Sequence, residues 1–152
     1  MQGIDTRFGH IDVAPEDVVT FEDGLIGFAT LRRFVLISHN PDSPFRWLQS
    51  LDEPALAFLV VDPGCYVEGY SAEINDDLAC ELGLAHESQA LVYTTASIPV
   101  GRPRDMTINL AAPIVVSGTS RKGKQIVLED EAYTMKHRVF VEETQTVESS
   151  AA

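Results

Sequence analysis

The histidines and cysteines, the side chains most typical of zinc and redox sites, are few and widely separated. They are four histidines and two cysteines: His10, His39, His86, His137, Cys65 and Cys80. No histidine has a second His, a Cys or a pair of carboxylates at the spacing of a metal-ligand motif. The two cysteines are too far apart for a Cys-x-x-Cys site and too few for a disulfide framework. The sequence therefore predicts no metal site and no cofactor.

The motifs of the common enzyme classes are also missing. The sequence contains no Gly-x-Ser-x-Gly, no His-Glu-x-x-His and no phosphate-binding glycine motif. Neighbouring carboxylates at 76–77 and 129–131 lie where a helix start and a turn are expected, and proximity alone does not define an acid and base pair. A small hydrolase or isomerase would need a nucleophile, a base and an orienting group. The sequence offers no such set, and we predict that the protein is not an enzyme.

The chain is strongly acidic. Its net charge is -12 at pH 7, from 23 acidic and 11 basic residues. Binding to nucleic acid requires Lys and Arg to neutralise several phosphates, so direct binding to nucleic acid or to an anionic membrane is not expected. An acidic surface attracts basic proteins over about a Debye length, ~8 Å at physiological salt. The same charge also serves solubility alone, so it does not by itself establish a basic partner.

Length and composition fit one globular domain. The chain has 152 residues, of which 45% are hydrophobic. No apolar run approaches the ~20 residues of a membrane-spanning helix, and the first residues lack the features of a secretory signal, so we expect a cytoplasmic protein. From residue 141 the chain is rich in Glu, Thr, Ser and Ala. This composition predicts a single domain at 1–140 and a flexible tail at 141–152.

Short apolar segments rich in Val, Ile, Phe and Thr predict a mainly β protein. Gly, Pro, Asn or Asp separates them at close intervals, a pattern typical of antiparallel strands. The candidate strands are residues 4–8, 10–13, 34–38, 46–51, 56–61, 89–96, 106–110, 114–117 and 124–129. Closing such strands into a small antiparallel β-barrel, or barrel-like sandwich, would leave few exposed edges.

Helical signals are limited to two places. Residues 76–82 are predicted to form a short helix, because Asn75 can cap its N-terminus and Asp76 and Asp77 favour its first turn. A second short helical turn is predicted at 29–33. The predicted fold is therefore mainly β with one or two short helices.

The segment 21–28 combines large apolar residues, two glycines and two acids in the sequence FEDGLIGF. As a structural element it would be a tight loop in which Phe21 and Phe28 are buried. Alternatively, its apolar side chains form an exposed docking loop.

Four stretches, in order, resemble the bacterial flagellar assembly factor FliW family. They are FEDGLIGF at 21–28, PFRWLQSL at 44–51 together with Ala57, Phe58, Asp62 and Pro63, MTINLAAPIV at 106–115, and KQIVL at 124–128. Each stretch is weak alone, but their order and spacing and the length of the chain all match the family. The resemblance covers the chain from about residue 4 to residue 140.

The resemblance implies a small β-barrel protein that binds other proteins and has no enzymatic activity. Proteins of this family bind newly made flagellin, and they also bind the RNA-binding translational repressor CsrA and remove it from flagellin messenger RNA. When flagellin accumulates, it occupies the factor, and the released CsrA stops flagellin translation. The resemblance thus implies two partners that exchange on one protein.

Two sets of residues are candidates for these contacts. Unassembled flagellin would need an apolar groove for its amphipathic helices, and we assign Leu25, Ile26 and Phe28 to that contact. A basic repressor would be attracted by carboxylates. The candidate residues for CsrA are Glu68, Glu73, Asp76, Asp77, Glu129, Asp130 and Glu131.

An OB-like β-barrel that binds nucleic acid is the alternative function. The number of strands, the aromatic residues and the basic cluster RKGK at 121–124 favour it. The lack of a basic groove in so acidic a chain opposes it. Because the cluster contains a glycine and lies between two candidate strands, we expect it to form a β-turn.

Overall fold

The computed structural model describes residues 2–6, 9–38, 40, 42–70, 74–84, 90–130 and 132–139, which form eleven strands and one α-helix. The strands are β1 (Gln2–Thr6), β2 (Gly9–Val13), β3 (Val18–Phe21), β4 (Arg33–Ile37), β5 (Phe45–Ser50), β6 (Ala57–Val61), β7 (Ala90–Ser97), β8 (Thr107–Ile108), β9 (Ile114–Ser117), β10 (Lys122–Gln125) and β11 (His137–Arg138). The helix is α1 (Asp76–Leu82). Short 3-10 turns lie at Pro15–Asp17, Pro63–Cys65 and Pro103–Asp105.

Seven strands close into a β-barrel in the order β7, β6, β5, β4, β3, β10, β9 and back to β7. The long strand β7 closes the ring, because its residues 90–93 pair with β9 while Thr94 and Thr95 pair with β6. Neighbouring strands of the ring are antiparallel except β3 and β10, which are parallel. Closure pairs each strand on both sides and so removes open edges. The predicted mainly β, barrel-like fold is confirmed.

Four strands extend the structure beyond the ring. The hairpin of β1 and β2 packs Ile4, Ile11 and its own Val13 around Val35 and Leu51. The short strand β8 pairs with the end of β7 and with β11. This second extension brings the segment before β11 next to the segment before β9, where the N–H of Leu110 donates to the carbonyl of Thr134 at 2.9 Å.

The hydrophobic core fills the barrel and continues under α1. The buried residues of the interior cluster are Val19, Phe21, Leu25, Leu31, Phe34, Leu48, Val60, Ile114 and Val116. On the other face of β9, Val115 packs against Leu78 and Leu82 of α1. Strand β9 is therefore buried on both faces, and the apolar stripe of α1 holds the helix on the outside of the barrel.

The helix α1 begins where the sequence predicts. The side chain of Asn75 accepts a hydrogen bond from the N–H of Leu78 at 2.8 Å, and Asp76 and Asp77 occupy the first turn. The helix has seven residues, and none of the helices in the described part of the chain has the length and apolar character to cross a membrane.

Strands β3 and β11 are not predicted from the sequence, and three local predictions are wrong in whole or in part. Residues 29 and 30 do lie in a turn, closed by the N–H of Leu31 donating to the carbonyl of Phe28 at 3.1 Å, but Arg33 already begins β4. The turn after β9 lies at 118–120, so most of the basic cluster belongs to β10 instead of a turn. Strand β10 spans Lys122–Gln125 and not 124–129. The predicted tail at 141–152 lies outside the described residues.

Candidate protein-binding site

The loop 21–28 is held in a compact conformation by its two glycines. Gly24 and Gly27 have φ angles of +67° and +86°, a region in which side chains are strained. Between them, the N–H of Phe28 donates to the carbonyl of Leu25 at 2.7 Å, and the N–H of Leu25 donates to the carbonyl of Phe28 at 3.2 Å. This narrow bridge places Ile26 at the tip of the loop.

The aromatic and aliphatic residues of the loop divide between core and surface. Phe21 and Leu25 are buried in the interior cluster. Ile26 is 55% exposed and Phe28 is 38% exposed. The ring of Phe28 contacts the ring of Phe58 edge-on, with centroids 5.1 Å apart. The loop is thus both a structural element, through Phe21 and Leu25, and an exposed apolar surface, through Ile26 and Phe28.

An apolar groove runs beside this loop and has a volume of about 360 Å³. The large apolar side chains of its lining are Leu25, Ile26, Phe28, Phe58, Val127 and Met135. Val127 and Met135 are 67% and 68% exposed, so the groove is open to solvent. A contiguous exposed apolar surface of this kind is typical of a site for a protein or ligand.

The side chain of Gln125 fixes one wall of the apolar groove. Its Oε1 accepts a hydrogen bond from the N–H of Ile26 at 2.9 Å. Its Nε2 donates to the carbonyl of Ala112 at 3.0 Å. The amide therefore ties the loop to the segment that precedes β9 and holds the tip of the loop beside the groove.

A second, acidic groove of about 520 Å³ lies between α1 and residues 124–129. Its lining includes Asp77, Leu78, Glu81, Ile126, Leu128 and Glu129. The carboxylates of α1 and of the segment after β10 therefore face the same space. Apolar side chains between these carboxylates give the acidic groove an amphipathic character.

One cation lies at the edge of the acidic groove. Nζ of Lys124 is 2.9 Å from a carboxylate oxygen of Glu81 and 3.5 Å from one of Asp23. The hydrogen bond to Glu81 is the main cause that raises the pKa of Lys124 above its ordinary value. Lys124 is therefore charged throughout the neutral range, and it connects α1 with the loop 21–28.

The structure brings together part of the predicted acidic set. Asp77 and Glu129 line the acidic groove, and Asp76 is exposed in the same first turn of α1. The carboxylate of Asp130 accepts from the N–H of Ala132 at 2.9 Å in the following turn. Exposed Glu68 lies in a different segment, whose neighbouring tyrosines pack on the cluster around Met106. Glu73 and Glu131 lie outside the described residues.

Among the described residues, no three His, Cys, Asp or Glu side chains are arranged to hold a metal ion.

The sequence and the fold both match proteins of known family. The family model described as FliW protein matches residues 3–139. The flagellar assembly factor FliW of Desulfitobacterium hafniense is 39% identical over 137 residues, which cover 90% of each chain. The chain belongs to the FliW family. The flagellar assembly factor FliW of Thermosipho africanus is 37% identical over 88% of this chain and 92% of the relative. A crystal structure of the flagellar assembly factor FliW has a TM-score of 0.85 and 34% identity, covering 93% of this chain and 99% of that chain.

All four stretches that resemble the FliW family contribute to the apolar groove. The residues concerned are Leu25, Ile26 and Phe28 from the first stretch, Phe58 from the second, Asn109, Ala111 and Ala112 from the third, and Gln125 and Val127 from the fourth. The stretches are distant in sequence, and the barrel brings them to one surface. The apolar groove is therefore the candidate site of this FliW-family chain.

Sequence reasoning missed several residues of the two grooves. Glu81 follows Asp77 by four positions on α1, so the helical repeat places both on one face and was a sufficient signal. Val127 lies in the segment 124–129, which is predicted as a strand. Strand β10 instead ends at Gln125, and Val127, beyond this end, is 67% exposed. Met135 lies in an irregular segment, and no sequence pattern signals its position at the groove.

Proposed function

We propose that this chain acts in the cytoplasm as a flagellar assembly factor with two protein partners, flagellin and the translational repressor CsrA. The observation that carries the proposal is the apolar groove, to which every stretch of the FliW resemblance contributes. Flagellin binds in this groove, and CsrA binds at the acidic surface of α1 and residues 124–130. Flagellin binding releases CsrA, which then represses flagellin translation.

The chemistry of the apolar groove supports a helical ligand. An amphipathic helix presents apolar side chains along one stripe, and an unassembled helix gains free energy when that stripe leaves water. Ile26, Phe28, Val127 and Met135 offer exposed apolar surface of complementary character. Leu25 is 4% exposed, so its role in the contact is to support the loop from below.

The charge of the chain supports a basic second partner. A protein that binds RNA presents Lys and Arg, and carboxylates on this chain accelerate its encounter with such a surface. Asp76, Asp77 and Glu129 are exposed on one side of the barrel. The net charge of -12 disfavours binding of the RNA itself.

A competition experiment tests the proposed function. The purified chain is mixed with flagellin and with CsrA from the same bacterium, and complexes are followed by size-exclusion chromatography and calorimetry. We expect binding to each protein alone, and a weaker affinity for CsrA once flagellin is present. Failure to bind either protein at micromolar concentration would overturn the proposal.

A matched pair of variants tests the assignment of the apolar groove. Ile26→Asp places a charge at the tip of the loop, and we expect flagellin affinity to fall by about tenfold or more, as for a buried interface anchor. Val100→Asp makes the same change at a fully exposed position outside the apolar groove, with Val100 at 101% relative exposure. Equal flagellin affinities for the two folded variants would show that the assignment is wrong.

A further inference from the structure

The apolar groove and the acidic groove share a wall. Val127 lines both of them. Just before it in the chain, Lys124 faces α1 and the loop 21–28 through its two ion pairs, while Gln125 bonds to the tip of that loop. Two consecutive residues of β10 therefore connect the two grooves through direct contacts.

The acidic groove has the chemistry of a site for a cationic, aliphatic peptide segment. Asp77, Glu81 and Glu129 supply carboxylates around it. Ile126, Val127 and Leu128 supply apolar surface beside these carboxylates. A partner segment that alternates Lys or Arg with aliphatic residues matches both features, because each cation meets a carboxylate and each aliphatic side chain leaves water.

We propose that such a segment of a partner protein binds in the acidic groove and displaces Lys124 from Glu81 and Asp23, which loosens the loop 21–28 and weakens binding in the apolar groove. This inference rests on the proposed function, in which CsrA is the basic partner, and it adds how the two partners oppose each other. Lys124 is an internal competitor, since its ammonium group occupies the carboxylates that an incoming cation needs.

The contacts of Lys124 suit an exchange of this kind. The side chains of Lys124 and Glu81 are 34% and 39% exposed, and that of Asp23 is 75% exposed. Ion pairs with this degree of exposure are weak and exchange readily with other charges. Asp23 directly precedes Gly24, and Gly24 and Gly27 hold the loop 21–28 in a compact conformation with positive φ. Loss of the ion pair at Asp23 therefore changes how firmly the tip of this loop, at Ile26, is held.

The solvent exchange of the Ile26 amide measures this coupling in the full chain. The probe is a short synthetic peptide of alternating lysine and leucine, and the same peptide with glutamate in place of lysine is its control. Exchange is followed by NMR, with the amide of Val100 as a reference outside both grooves. We expect the lysine peptide to bind and to raise the exchange rate of Ile26 by about twofold to fivefold, the ratio that loss of an exposed ion pair corresponds to.

Two variants with the same charge change separate the role of Lys124 from net charge. In Lys124→Met, we expect the solvent-exchange rate of the Ile26 amide to be raised already without the peptide and to stay unchanged when the peptide is added. We also expect the peptide to bind this variant more tightly than it binds the wild type. Lys122→Met is the control, because Lys122 is exposed in the same strand and forms no ion pair with a described residue. Asp23→Asn removes only the loop contact and raises Ile26 exchange without changing α1.

Three outcomes overturn the inference. They are no binding of the lysine peptide, binding without any change at Ile26, and a Lys124→Met variant that responds as Lys122→Met does. These results are independent of the flagellin and CsrA competition. A chain that binds neither of those proteins but shows the peptide response refutes the proposed function and leaves the coupling in place. A chain that binds flagellin and CsrA but shows no peptide response refutes the coupling alone.

Discussion

The backbone N–H of Ile26 donates to Oε1 of Gln125 at 2.9 Å, across 99 positions of sequence. Nε2 of the same Gln125 side chain donates to the carbonyl of Ala112 at 3.0 Å. One side chain thus uses both of its polar atoms to join the loop tip to the barrel. The position of Ile26 in the apolar groove therefore depends on a residue of a different strand.

Replacing Gln125 by Leu removes both hydrogen bonds. We expect the free energy of unfolding to fall by about 1–2 kcal/mol, because the partner groups of Ile26 and Ala112 lose their bonds. Under the proposed function, flagellin affinity falls with it, since the loop tip is no longer held. Urea denaturation and calorimetry measure the two effects.

Gln125→Glu is the informative companion. Its carboxylate still accepts from the N–H of Ile26, but it has no donor for the carbonyl of Ala112. We expect stability to fall by about 1 kcal/mol, because only the carbonyl of Ala112 loses its bond, while under the proposed function flagellin affinity stays closer to that of the wild type. Equal losses of affinity in both variants would contradict a positioning role for the Ile26 contact.

The two loop glycines differ in what a side chain would meet. A Cβ at Gly24 would lie 2.7 Å from Cα of Ala29, whereas a Cβ at Gly27 meets no atom within 4 Å. Both have positive φ, which costs an alanine about 1–2 kcal/mol. We expect Gly27→Ala to cost about that amount and Gly24→Ala to cost more, about 3 kcal/mol or above, because the clash adds to the strain.

Urea denaturation of both glycine variants provides the comparison. Gly27→Ala serves as the control for backbone strain alone. If the two variants lose the same free energy of unfolding, the close approach at Gly24 does not constrain the loop.

Local patterns predict most of the strands and α1 because their signals are local, whereas β3 and β11 are not predicted. Alternation and turn residues define most strands, and Asn75 caps the helix with its own side chain. The turn predicted at 29–33 ends earlier than expected, because a group distant in sequence fixes the conformation of Arg32 and Arg33. The carboxylate of Asp52 accepts from the backbone of Arg32 and Arg33, and this contact does not exist in the isolated segment.

The different burial of Phe21 and Phe28 shows why the sequence predicts the apolar groove only in part. Both are phenylalanines at the ends of one loop, and the sequence gives no reason to separate them. The ring of Phe21 fits against Gly123, where an added Cβ would lie 2.6 Å from the ring. Phe21 is therefore buried because Gly123, which is distant in sequence, has no side chain to exclude its ring. Phe28 remains at the surface, in contact with Phe58.

Reversal of the charges on α1 tests the acidic surface. In the double variant Asp76→Lys and Asp77→Lys, we expect association with CsrA to slow by about tenfold at low salt and to depend less on salt, because steering by opposite charge is lost. Stopped-flow kinetics at two salt concentrations measures this. Lysine in the first turn of a helix also costs about 0.3–1 kcal/mol, so the stability of the variant is measured in parallel.

The control for charge reversal is Glu16→Lys with Asp17→Lys. These exposed carboxylates lie in the turn Pro15–Asp17, away from both grooves, and give the same change in net charge. We expect a smaller change in the association rate for this pair. Equal slowing would contradict the proposed role of the α1 surface and would leave net charge as the cause.

The hydroxyl of Tyr70 makes the free energy of unfolding depend on pH in the alkaline range. It donates to the carbonyl of Leu110 at 2.7 Å, and burial, together with nearby Tyr133, raises the pKa of Tyr70 to about 12 from its ordinary value of 10.0. The unfolded chain therefore loses this proton at a lower pH than the folded chain. The stability contributed by the protonated hydroxyl is complete below pH 10 and is lost as the pH rises through 12.

Tyr70→Phe removes this titration and the hydrogen bond together. At neutral pH we expect the variant to be less stable by about 1 kcal/mol, the usual contribution of one hydrogen bond. Because the variant has no hydroxyl at this position, its free energy of unfolding falls less steeply than that of the wild type between pH 10 and 12. The difference between the two proteins therefore narrows as the pH rises. Urea denaturation across this range measures both curves, and parallel curves would show that the hydroxyl of Tyr70 titrates alike in the folded and unfolded chains.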